Sequence, residues 1–104
     1  METFDELLAR WADAEARGDT AMLDGLLAPE FRGDGSAGFV LGKRQWLDRR
    51  IGSFRWTVLS TRVRHGTGVG TGSARCDGET FACTVVGVRR GGWVIVNIQL
   101  GKDS

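Results

Sequence analysis

From Thr3 to Arg17 the apolar residues Phe4, Leu7, Leu8, Trp11 and Ala14 recur at helical intervals, and Thr3 followed by Glu6 has the spacing of a capping box. The pattern predicts a first helix from about residue 4 to 17. Gly18 supplies a left-handed stop and Asp19 a cap for a second helix, whose apolar face is Met22, Leu23, Leu26 and Leu27 and which runs up to Pro29, the only proline. A third, short helix over 43–51 follows Gly42 and shows Trp46, Leu47 and Ile51 on one side.

From residue 55 the period changes to two. RWTVLSTRVR, TGVGTGSARC, TFACTVVGVRR and WVIVNIQL read as four strands, separated by His-Gly, Asp-Gly-Glu and Arg-Gly-Gly turns. They predict an antiparallel meander, with a short fifth strand near Phe31 or Phe39. Helices on one side of such a sheet make an α+β domain. With Asp77-Gly78 and Arg90-Gly91 as two-residue loops, counting assigns Leu59, Thr61, Val63, Gly68, Gly70, Gly72, Ala74, Phe81, Cys83, Val85, Val94, Val96, Ile98 and Leu100 to the helix-covered face. The outer face receives Val69, Thr71, Ser73, Thr84, Val86, Val88, Trp93, Ile95, Asn97 and Gln99. So much apolar area on that face predicts a homodimer through Val86, Val88, Trp93 and Ile95, with simple exposure of a few apolar side chains as the alternative. The row Gly68, Gly70, Gly72 has two readings: room for a ligand above the sheet, or strand curvature or close helix packing.

Length and composition narrow the function. A chain of 104 residues forms a single domain over 1–104 whose binding site must be carved from its one core. Fourteen basic against thirteen acidic residues leave no net field towards nucleic acid or an anionic membrane, so neither is expected as a partner. The acidic, amphipathic N-terminus is unlike a signal peptide and no apolar run approaches a membrane span, so the expected location is cytoplasmic. Cys76 and Cys83 suit a reducing compartment as free thiols, and one His without clustered carboxylates predicts no metal and no other cofactor.

Arg-Gly-Asp occurs twice, as Arg17-Gly18-Asp19 and Arg32-Gly33-Asp34. The first copy is a helix-to-helix joint. The second lies in a loop, where Asp34 is either turn chemistry or a carboxylate at a pocket mouth that acts as a general base. Cys83, with apolar predicted neighbours, reads as an inert buried thiol, and His65 as a turn residue. The basic run Lys43, Arg44, Arg49, Arg50 reads as the solvated side of a short helix or as an anion-binding patch.

The order of elements, together with W-x-x-A-x-x-x-G-D in helix one, L-L-A-P-E-F, GFVLGKRQWL and the closing W-x-I-V-x-x-Q, resembles the nuclear transport factor 2-like superfamily. The small bacterial proteins grouped with SnoaL-like polyketide cyclases and ketosteroid isomerase are the most similar in pattern. The resemblance spans the whole chain and implies a cone: a curved sheet wrapped around helices, with an apolar pocket at one end and often a dimer formed through the sheets. It also implies a test of chemistry. Ketosteroid isomerase needs one carboxylate base and two acids at the enolate oxygen. Here the family's tyrosine falls on Trp11 in a chain without Tyr, the second acid falls near Cys83 or Thr84 where no carboxyl stands, and the base falls within about one residue of Asp34. A dehydratase with several histidines and an epoxide hydrolase with an Asp-Arg-Asp relay match less well, because His65 is alone and the inward strand positions are apolar.

Two functional readings follow. One is a protein that binds a small apolar molecule in a pocket lined by Trp11, Leu27, Phe39, Trp46, Trp56, Thr61, Phe81, Cys83 and Val85, with Asp34 as general base if it is an isomerase or cyclase. The other is a non-catalytic dimerisation or association domain whose pocket is filled by its own side chains.

Overall fold

The structure, a computed structural model, describes residues 2–49 and 52–102; Arg50 and Ile51, assigned above to the third helix, lie outside the described residues. Helix α1 (Phe4–Arg17) starts at the expected capping box. The Thr3 hydroxyl accepts from the Glu6 N–H at 3.1 Å and Glu6 accepts from the Thr3 N–H at 2.8 Å. Gly18, with φ 64°, ends α1 in the left-handed conformation, and Asp19 caps α2 (Thr20–Leu26) by accepting from the Met22 N–H at 3.0 Å. The first Arg-Gly-Asp is thus the joint the sequence implied.

The second helix is shorter than expected. It stops at Leu26, and Leu27 opens strand β1 (Leu27–Asp34), which antiparallel β2 (Val40–Gly42) follows. Pro29 accounts for the change: it disfavours helical geometry at Ala28, lacks an N–H, and falls where β1 pairing breaks between Leu27 and Arg32. The single extra strand expected near Phe31 or Phe39 is therefore two strands.

After α3 (Lys43–Asp48) come β3 (Phe54–Arg64), β4 (Thr67–Cys76), β5 (Glu79–Arg89) and β6 (Trp93–Lys102). The sheet order is β2-β1-β6-β5-β4-β3, with β1 parallel to β6 and every other pair antiparallel. The helices cover one face of this six-stranded, curved and unclosed sheet. His65-Gly66 and Asp77-Gly78 form the two tight turns, all four residues at positive φ.

The β5–β6 turn corrects the face assignment. Arg89 pairs with Trp93, leaving three loop residues instead of two, with the Arg90 N–H bonded to the Gly92 carbonyl at 2.8 Å. One extra residue turns the start of β6 over, so Trp93 and Ile95 are buried beneath α1 and not on the outer face. A bulge then restores parity: Val86 pairs with Asn97 but Gly87 with Ile95, leaving Val96 as the extra residue, and Ile98 faces inward as expected. Leu59 is a comparable extra residue between Val58 and Ser60 on β3 and is 78% exposed, contrary to its inward assignment.

The glycine row does face the helices, and close packing fills it. A Cβ on Gly68 would sit 2.6 Å from the Phe4 ring, one on Gly70 2.7 Å from Leu8, and one on Gly72 2.1 Å from the Thr57 carbonyl oxygen.

Candidate functional site

The centre of the cone is aromatic. Trp11 projects from α1 so that its ring meets Phe54 and Trp56 edge-on, each centroid 5.4 Å away, while Trp46 from α3 meets Phe31 of β1 at 5.3 Å. Gly33 makes room for that helix, since a Cβ there would lie 2.3 Å from the Trp46 ring. Trp11 and Trp46 are buried and Trp56 is half-buried.

One carboxylate organises this cluster. Glu15 lies one helical turn beyond Trp11, on the buried side of α1, with its side chain 4% exposed. Its Oε2 accepts the Trp11 indole N–H at 3.0 Å, the Trp46 indole N–H at 2.9 Å and Arg49 Nη2 at 2.7 Å; Oε1 also accepts from Arg49 Nη2 at 2.7 Å. The Arg49 guanidinium lies 3.7 Å over the Trp46 ring, and its Nε is buried without a partner. Burial pulls the Arg49 pKa below its ordinary value, and the charge of Glu15 opposes that shift. A carboxylate spent on two indoles and a guanidinium is a structural clasp, not a free base.

The expected lining residues divide. Trp11, Leu27, Trp46, Cys83 and Val85 are buried in the core, and Phe81 is half-buried. Thr61 is exposed on edge strand β3, and Phe39 is 60% exposed in the loop before β2, its ring against Gly35. Asp34 faces away from the helices: alternation from inward Gly33 places it outside with Arg32, where it accepts from Asn97 Nδ2 at 3.1 Å and pairs with Arg32 at 3.5 Å. Neighbouring strand residues face opposite sides, so a position within about one residue of the expected base can point outward. Burial pushes the Cys83 thiol up to about 12, which keeps it protonated and inert.

The basic run also needs correction. Arg49 is the buried partner of Glu15, and Lys43 is only half-buried, bonded to the Leu27 carbonyl at 3.0 Å and to Asp24 at 3.2 Å; Arg44 is solvated as expected, and Arg50 lies outside the described residues. Beside the clasp a cleft of 420 Å³ opens between the helices, lined by Glu15, Gly18, Thr20, Leu23, Trp46, Leu47, Asp48 and Arg49. No strand contributes to it. Among the described residues no three His, Cys, Asp or Glu side chains come together as metal ligands, and no helix is long and apolar enough to cross a membrane.

No protein-family model matches the chain, and no curated protein matches it by sequence. Solved structures do. An NTF2-like protein from Cytophaga hutchinsonii ATCC 33406 superposes with a TM-score of 0.85 at 17% identity, covering 99% of this chain and 100% of that one. The chain has the nuclear transport factor 2-like fold. A nuclear transport factor 2-like protein of unknown function in nutrient uptake from Rhodospirillum rubrum ATCC 11170 is similar at TM-score 0.83, 22% identity and coverage of 99% and 100%. Another, of unknown function, from Silicibacter pomeroyi DSS-3 has a TM-score of 0.76 at 17% identity, with 90% and 87% covered. Likeness at this level fixes the cone and leaves its chemistry to the side chains.

Within this cone the sequence pattern missed Glu15 and Arg49. Glu15 was legible in principle, because it continues the buried series Phe4, Leu7, Leu8, Trp11, Ala14. Arg49 was not, since its partner lies 34 positions away in the chain.

Proposed function

We propose that this protein is a non-catalytic association domain whose cone interior is occupied by its own side chains. The observation that carries the reading is the packing of Trp11, Trp46, Trp56 and Phe54, locked by Glu15, in the space where a ligand-binding cone would keep its pocket. The outward placement of Asp34 supports the same reading, because it removes the best candidate base from the interior.

Association is assigned to the outer sheet face. Val69 pairs with Val86 and Val88 with Val94, four half-buried valines in adjoining strand pairs on the side away from the helices. A second copy of the chain covers them in this proposal, with Trp93 and Ile95 removed from the expected interface because they belong to the core. Sedimentation equilibrium tests it. The wild type should sediment as a dimer and Val86→Arg as a folded monomer; a monomeric wild type, or a dimeric Val86→Arg, would contradict the proposed interface.

A further inference from the structure

The clasp leaves Arg49 incompletely used. Glu15 engages only Nη2, while Nε has lost water and found no acceptor. Buried donors without partners are uncommon, and a charged one is more costly than a neutral one. The guanidinium cannot move away freely, because Trp46 lies 3.7 Å beneath it and Glu15 holds one end.

That arginine borders the 420 Å³ cleft, and the rest of the wall has a definite character. Half-buried Leu47 and the edge of buried Leu23 provide a small apolar strip in a mainly polar wall, Thr20 a hydroxyl, and Asp48 an exposed carboxylate with no ion-pair partner among the described residues. The charges in the wall are Glu15, Asp48 and Arg49. Glu15 is neutralised by Arg49, so Asp48 sets the remaining field. A plain anion would meet Arg49's unspent donors but also the repulsion of Asp48. A ligand with a carboxylate and a nearby ammonium or hydroxyl satisfies both, and a branched apolar tail suits the leucines.

We propose that this helix-walled cleft, distinct from the filled interior of the cone, binds a small amino or hydroxy carboxylic acid, with its carboxylate on Arg49 and its ammonium or hydroxyl on Asp48. In this arrangement Nη2 stays on Glu15 and the guanidinium donors that Glu15 leaves unengaged take the ligand carboxylate. The cleft volume accommodates a molecule the size of a branched amino acid. Association through the outer sheet face is independent of this site, since none of the lining residues lies on a strand.

The probes are valine, 2-hydroxyisovalerate and isovalerate, which share one carbon skeleton and differ in the group beside the carboxylate. Titration of each into the full-length protein, followed by the Trp46 indole N–H resonance, should give saturable shifts for valine or the hydroxy acid and at least tenfold weaker binding for isovalerate. Asp48→Asn changes an exposed residue, should leave the fold intact, and should shrink that discrimination below threefold. Arg49→Lys keeps the charge beside Glu15 but removes the guanidinium donors, and should weaken the preferred probe at least tenfold. No saturable shift with any probe at millimolar concentration would overturn the proposal, as would isovalerate binding as tightly as valine or Asp48→Asn leaving the order unchanged.

Discussion

Glu15 shows what a single buried charge does when it is fully engaged. Its side chain is almost without solvent, yet two indole N–H groups and a guanidinium donate to it. Glu15→Ala would leave those donors desolvated and unpaired, a loss of about 3–5 kcal/mol for a broken buried pair. The double variant Glu15→Leu/Arg49→Leu removes both charges together and should cost less than the sum of Glu15→Leu and Arg49→Leu made singly. Urea unfolding of the four proteins in a double-mutant cycle measures this; additive effects would show that the clasp does not act as a unit. The residue scale is also where the sequence was most easily misread. Asp34 and Glu15 are both carboxylates, and only the side to which each strand or helix turns decides between solvent and core. Helical spacing places Glu15 inward once the apolar series is followed to its end, whereas Asp34 required a strand register that the loop-like sequence RGDGS does not reveal.

At the scale of elements, the helices and long strands were legible because each has a strong period and marked ends: a capping box, Gly18, Asp19, and the His-Gly and Asp-Gly turns. The illegible parts were single extra residues. A third residue in the β5–β6 loop and the bulges at Leu59 and Val96 each shift parity by one, and no propensity reports such a shift before the sheet closes. The parallel β1–β6 pairing was hidden because it joins strands far apart in the chain, Arg32 pairing with Asn97. The glycines of β4 give a test at this scale. A methyl group at Gly70 meets the flexible tip of Leu8, but one at Gly72 meets the backbone carbonyl of Thr57 beside the Leu59 bulge. Gly72→Ala should therefore be destabilised in the range of about 1–3 kcal/mol for overpacking, and Gly70→Ala by clearly less. Thermal unfolding would show Gly72→Ala melting lower by several degrees, and equal melting temperatures would refute the backbone-contact argument.

Across the whole molecule, Glu30 in β1 is tied to Arg90 in the β5–β6 loop, 60 positions later. The Arg90 hydrogen bond lowers the Glu30 carboxyl from its ordinary 4.5 to about 2. A folded-state pKa below the unfolded one gives stability that is present above about pH 4.5 and is lost as pH falls through about 2. Acid unfolding of Glu30→Gln should accordingly be shallower than wild type within that window and parallel to it above pH 5; identical acid limbs would mean the pair is screened away.

A fold able to hold a ligand is closed here by Trp11, Trp46 and Trp56, the first two of which share the Glu15 carboxylate. Titration with an apolar fluorescent probe, read by energy transfer from tryptophan, tests this closure most directly in wild type and Trp11→Ala. The indole removed by that substitution leaves a cavity at the centre of the cluster, at a cost of about 3–5 kcal/mol, and an apolar cavity of that kind accepts apolar guests. The account predicts no saturable binding to the wild type and saturable binding to folded Trp11→Ala. Stoichiometric binding of the probe to the wild type, competed by larger apolar molecules, would contradict it.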